Sequence, residues 1–246
     1  MITAADWHDA WRALPVAELD AVIGSGTCLV LAPHPDDESV GCGGLIAACC
    51  AAERAPMVAI LTDGAASHPG SRTYPPERMR MVRKREAHQA VAHLGLPAKR
   101  LVFCNYPDTQ APKSGPGFEA AVRMLCGLVA HEPDCTAIVG PWQHDPHADH
   151  EAAALIATEV AARSALRRVS YPVWGWLLPR EAVIPEDAPA RGCRLDITPF
   201  LPAKRRAVGA HKSQFGEVVT DDPAGFQIPP ELMDIADQPF ETFLLI

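Results

Sequence analysis

The stretch TCLVLAPHPDDESVGCGG, residues 27–44, decides the fold. Its first half is a short apolar run ending at Pro33, the pattern of a buried strand that leads into a loop. Its second half turns acidic and then glycine-rich, and passes into GGLIAACCAAER (43–54), which reads as a helix. The same alternation continues outward. MVAILTDG (57–64) reads as a second strand, and a loop rich in Gly, Ser and Pro follows over 65–76. Glu77 to Leu94 carries helical periodicity and ends at Gly95, a residue suited to a helix C-cap. RLVFC (100–104), TAIVG (136–140) and RRVSYPVW (167–174) read as further strands, with helices expected over 118–131 and 148–163. Strands alternating with helices of roughly ten or more residues predict βαβ units, hence an α/β fold with a mostly parallel sheet. The region beyond 175 is Pro-rich, with a strand expected at 191–197 and a helix at 201–211. One domain is expected across 1–246, with its core at 27–175 and the extension 176–246 packed on it.

Ligands on parallel sheets bind beyond the carboxyl ends of the strands. The residues with chemical potential obey that rule. His34 follows the first strand, Asp63 ends the second, Asp108 follows the third, and a histidine cluster follows the fourth.

Bulk properties narrow the function classes. The 246 residues are 48% hydrophobic and 21% charged, as in an ordinary globular protein. The 22 basic and 30 acidic residues give a net charge of -8, with no dense Lys/Arg run, which argues against a nucleic-acid partner. The cluster from Arg78 to Arg85 falls on an expected helix and reads as its solvated face. The eight cysteines form no C-x-x-C pair and mostly sit in apolar runs, as reduced core thiols do. No basic-then-apolar leader opens the chain, and no stretch has the length and apolarity of a membrane span. The expectation is a cytoplasmic protein with a small-molecule partner and no membrane partner; homo-oligomerisation is left open.

Two segments carry chemistry. In APHPDDESVGCGG, His34 and Asp37 are three residues apart. In a tight turn or first helical turn that spacing puts both side chains on one side, where they can share a metal. Asp36 points elsewhere, near the metal without ligating it, and Gly41, Gly43 and Gly44 permit close packing after the turn. In PWQHDPHADHEAAALI, His144, Asp145, His147, Asp149 and His150 crowd into seven positions at the start of an expected helix. His147 and His150 are again three apart, so that one can bind metal while the other faces substrate. His34, Asp37 and His150 together make a ligand set suited to catalytic zinc with an open position for water. The same set suits non-haem Fe2+. Asp36 favours hydrolysis, because a water activated at a metal needs a base to take its proton.

Each segment alone has a duller explanation. H-x-x-D occurs in surface turns, DDES can cap a helix with its acids at the positive end, and HDPHADH can be a polar capping loop. None of these explains why both segments follow strands on one edge of the sheet. Trp174 and Trp176 suit either sugar stacking or core packing. His88 and His93 read as surface or packing residues, Ser67 and His68 as parts of a polar loop, and His144 as a surface or supporting residue. Two other functions compete: a carbohydrate- or metal-binding module without catalysis, and an Fe2+ oxygenase. The strand–helix alternation speaks against the β-rich architecture of many such oxygenases.

The motifs APHPDDE (32–38) and HADH (147–150) resemble those of the PIG-L/LmbE family of metal-dependent de-N-acetylases. LTDG (61–64), the R-x-x-E helix beginning at Arg83, the Pro107–Asp108 pair and HKSQ (211–214) extend the resemblance over most of 27–215. Ala148 stands where members often have Pro. The resemblance implies a Rossmann-like three-layer sandwich, one zinc ion per chain, and an N-acetylated amino sugar or glycoconjugate as substrate. Carried over by position, His34, Asp37 and His150 would be ligands and Asp36 the general base. A protonated His147 would stabilise the oxyanion or protonate the leaving amine, with Asp149 orienting it. Arg83 and Asp108 would contact the sugar.

Overall fold

The computed structural model describes residues 2–185 and 191–245. The first half of the chain gives β1 (Ile2–Thr3), α1 (Ala4–Ala13), β2 (Val16–Ala17), α2 (Leu19–Ile23), β3 (Thr27–Ala32), α3 (Asp37–Ala51), β4 (Met57–Thr62), α4 (Pro76–His93) and β5 (Leu101–Tyr106). The second half gives α5 (Gly115–Ala130), β6 (Cys135–Pro141), α6 (Ala148–Ser164), β7 (Arg167–Tyr171), β8 (Val183–Ile184), β9 (Arg191–Asp196), α7 (Leu201–Val208), α8 (Pro230–Ala236) and β10 (Phe240–Leu245). The main sheet has the order β2-β9-β10-β7-β6-β3-β4-β5. Strands β3 to β7 are parallel throughout, whereas β10 is antiparallel to both β7 and β9.

Every residue of β3 is buried, because both faces of the sheet are covered. Leu29 and Leu31 pack with Ile138, Ala153 and Ile156 under α5 and α6. Cys28, Val30 and Ala32 alternate with them and pack with Leu45, Ile46 and Val91 of α3 and α4. This period-two alternation builds the three layers of an α/β sandwich. The chain winds from β3 outward to β4 and β5, then returns to add β6 and β7 on the other side of β3. The reversal opens a crevice beyond the carboxyl ends of β3 and β6, the usual ligand position in such folds.

The strand expected at 167–174 ends at Tyr171 and the helix expected at 201–211 ends at Val208, and three larger differences from the sequence expectation bear on the fold. Helix α3 begins at Asp37, not at 43, so it runs straight through Gly41, Gly43 and Gly44. The glycines serve close contact: a Cβ on Gly41 would stand 2.4 Å from the Tyr171 ring, and one on Gly44 would stand 2.3 Å from Ile197 Cγ2. Gly44→Ala is therefore expected to cost about 2 kcal/mol by overpacking. That corresponds to a fall in Tm of roughly 4–8 °C in a thermal melt. An unchanged Tm would show that Ile197 yields without cost.

The N-terminal residues, read without an element, form α1, whose start is fixed by a reciprocal capping box between Thr3 and Asp6. Trp7 and Trp11 of this helix bury their rings against Trp142. The C-terminal stretch FETFLL, also unread, is β10, inserted between β7 and β9. With β9 it makes the extension part of the main sheet; residues 186–190 of that extension lie outside the described residues.

Candidate active site and metal centre

The loop after β3 and the loop after β6 converge. His34 and Asp37 come from the first, and His150 from the first turn of α6. Asp37 Oδ2 lies 3.1 Å from His34 Nδ1 and 3.2 Å from His150 Nε2. It also accepts the His34 main-chain N–H at 3.0 Å. Burial alone would raise the Asp37 carboxyl, but the facing His150 and His34 outweigh it and hold its pKa well below the usual carboxylate range.

The donor set fits a divalent cation. His150 is fully buried, and its Nε2 makes no hydrogen bond. Its Nδ1 lies 2.8 Å from Asp145 Oδ2, so the carboxylate fixes the imidazole from behind and leaves Nε2 facing His34 and Asp37. Such carboxylate–histidine pairs are the usual support of metal-ligating imidazoles. Asp145 is itself held by the main-chain N–H groups of Val173, Trp174 and Gly175. Among the described residues, one donor atom each of His34, His147 and His150 lie within 4.8 Å of one another, as do those of His34, Asp108 and Asp149.

Asp36 is turned away from this group. Its Oδ2 lies 3.1 Å from the Arg83 guanidinium. Arg83 also donates to the Pro35 carbonyl at 2.7 Å and to Gln214 Oε1 at 2.8 Å. Arg83, expected to touch the sugar, therefore lies behind Asp36, although it still lines the cleft. Burial raises the Asp36 carboxyl to about 6, with the Arg83 charge opposing. Glu38 accepts the Asp36 main-chain N–H at 2.9 Å, and its other oxygen lies 3.1 Å from His211 Nε2. The HKSQ segment thus closes on the first motif: His211 on Glu38, Ser213 on Glu86, Gln214 on Arg83.

His147 is the N-cap of α6, and its Nδ1 accepts the Asp149 main-chain N–H at 3.1 Å. In the neutral ring this puts the proton on Nε2. Burial, then the charges of His34 and His150, lower the His147 pKa. The geometry thus favours a neutral donor over the protonated His147 expected from sequence. The contact from Asp149 to His147 comes from its main-chain N–H. The Asp149 carboxylate instead lies 3.1 Å from His34 Nε2 and accepts the N–H groups of Thr109 and Ala111. Asp108 Oδ1 stands 3.3 Å from the same His34 nitrogen, while Oδ2 accepts the Ala66 N–H.

His34, Asp36, Asp37, Arg83, Asp108 and His147 line a cleft of about 190 Å³ that also includes Val40, Ser67, Thr109, Val173, Trp174, Gln214 and Phe226. Trp176 is not among them; it packs on Trp11 and His8. His88 packs on Phe103. His144 stands beside Gln143 and the Trp142 ring. Asp63 braces two loops, accepting the N–H groups of Ala65 and Asp108 and pairing with Arg80. Sequence reasoning gave no role to Asp145, Glu38 or His211. The only local signal for Asp145 was an acid five residues before His150 in a histidine-rich loop.

The fold is a mostly parallel α/β sandwich with a His/Asp cluster at its switch point, where such folds bind ligands. The family profile described as PIG-L, GlcNAc-PI de-N-acetylase, matches residues 29–161, more than half of the chain, and the protein belongs to that family. A search of curated proteins gives no match. Among solved structures, the chain is similar to an N,N'-diacetylchitobiose deacetylase from Pyrococcus horikoshii, with TM-score 0.66 and 19% identity over 98% of this chain and 90% of that one. It is similar to the teicoplanin deacetylase Orf2 in its zinc-inhibited form, with TM-score 0.61 and 16% identity over 89% and 97%. GalB, a 4-carboxy-2-hydroxymuconate hydratase from Pseudomonas putida KT2440, shares the fold equally well, with TM-score 0.61 and 16% identity over 89% and 95%. The fold alone therefore does not choose the reaction.

Proposed function

We propose that the protein is a zinc-dependent hydrolase that removes the N-acyl group, acetyl in the simplest case, from an amino sugar or a glycoconjugate containing one. The observation that carries the reading is the division of labour between adjacent acids. Asp37 faces both His34 and the Nε2 of His150, while Asp36 is drawn aside by Arg83, out of that cluster, where it can act as a base.

His34, Asp37 and His150 would hold the ion. A bound divalent cation supplies Lewis acidity to a water and to the amide carbonyl. Asp36 accepts the proton of the attacking water at its carboxylate, oriented by Arg83 and by Glu38 at its main chain. The Nε2–H of His147 hydrogen-bonds to the carbonyl oxygen as charge grows there. A C–O bond forms, the C–N bond breaks, and Asp36 passes the proton it took from the water to the departing nitrogen, while His147 keeps its Nε2–H. Asp149 supports His34, and Asp108 with Thr109 offers hydrogen-bonding groups to the sugar hydroxyls. The family match supports the amide as target, and two of the neighbours are named as deacetylases of N,N'-diacetylchitobiose and of teicoplanin.

The test is acetate release from a panel of N-acetylated amino sugars by zinc-loaded protein, with the free amine quantified in parallel. Equal yields of acetate and amine are expected for at least one substrate; no acetate from any would reject the reading.

A pH profile follows from Asp36. The base is active when ionised, and its folded pKa is raised to about 6, so kcat/KM should fall as pH drops through that value. A bound cation favours the ionised form and moves the limb to lower pH. The acid limb is therefore expected at or below about pH 6, with a slope of roughly tenfold per unit. A limb centred above neutrality would assign the base elsewhere.

A further inference from the structure

We propose that the apolar wall of the cleft is an acyl subsite, so that the preferred substrate carries an N-acyl chain longer than acetyl; this rests on the amide-hydrolase reading above. The cleft has two unlike walls. Beside the loops after β4 and β5 it is lined by Ala66, Ser67, Asp108 and Thr109. Opposite in character are Val40, Val173, Trp174, Phe226, Ile228 and Leu232, all apolar. Trp174 and Phe226 are only half-buried, with ring centroids 5.8 Å apart in an edge-on arrangement. The backbone of this wall is tied down: Phe226 N–H donates to the Ser67 carbonyl at 2.7 Å, and Ile228 N–H donates to the Gln214 carbonyl at 2.8 Å. Trp174 and Phe226 thus present apolar surface in the same cleft as His34, Asp36 and His147, backed by the buried Val40, Val173, Ile228 and Leu232.

The two substituents of the amide differ in what they need. A sugar ring carries hydroxyls that lose free energy if buried without partners, and the Asp108–Thr109 wall offers partners. An acyl chain carries only C–H groups, which the other wall matches. A single acetyl methyl covers little of the half-buried Trp174 and Phe226 rings. Each further methylene buried there is expected to raise kcat/KM by about fourfold.

The experiment compares carboxylic acid release from N-acetyl-, N-butyryl- and N-hexanoyl-glucosamine by the zinc-loaded full chain. The octyl glycoside of N-acetylglucosamine is run beside them. We expect kcat/KM to rise by at least about tenfold from acetyl to hexanoyl. Leu232→Asn and, separately, Phe226→Ala should lower the hexanoyl-to-acetyl ratio several-fold. That ratio, measured on one preparation, does not depend on the fraction of protein folded. Preference for acetyl, or a gain only with the octyl glycoside, would overturn the acyl subsite while leaving the hydrolase reading intact. No acid from any of the four would overturn both.

Discussion

Asp36→Asn is expected to lower kcat by two to four orders of magnitude, the range typical of a lost general base. The change removes the proton acceptor and leaves the shape of the side chain. It does not touch the three donors, since Asp36 faces Arg83 while Asp37 faces His34 and His150. Metal content should therefore stay close to wild type, and the pH profile should lose its acid limb. A steady-state assay paired with elemental analysis reads both. If kcat stayed within about tenfold, a different group would be taking the proton.

The second large effect concerns stability. Lys204 and Glu241 form a buried ion pair at 2.7 Å, with side chains 3% and 2% exposed. Glu241 also accepts the N–H groups of Gly44 and Leu45 inside α3, each at 2.7 Å. One carboxylate thus joins β10, α7 and the helix that carries Asp37. Glu241→Gln would leave Lys204 charged and unpaired in the interior, a loss of about 3–5 kcal/mol. In a protein of this size the corresponding fall in Tm is roughly 6–20 °C. Adding Lys204→Met to that variant should recover part of the loss, because the orphaned charge is then gone. Strictly additive losses would mean that the pair is not coupled.

The strands and most helices were legible because each is written in a contiguous run of residues with its own period. The convergence of the two motifs was legible for a similar reason: His34 and Asp37 share one turn, and His147 and His150 another. What escaped were groups whose meaning is set by distant partners. Asp145 sits in the same loop as the histidines, but its role depends on three backbone N–H groups at 173–175. Glu38 belongs to the first motif, yet it acts through His211, far along the chain. The partners of Arg83, Asp36 and Gln214, were not legible either, because they come from other parts of the chain. Strand β10 was missed because a buried Glu241 interrupts its apolar pattern, and the charge makes sense only once Lys204 is beside it.

The most direct test of the account is the metal content of the purified chain after chelation, reconstitution with zinc and removal of excess ion. The account predicts about one ion per chain in the wild type and in Asp36→Asn, as for a mononuclear catalytic site. His150→Ala and Asp37→Ala, each checked for a native circular dichroism spectrum, should retain almost none. Full occupancy in the folded His150→Ala protein, or none in the wild type, would contradict it.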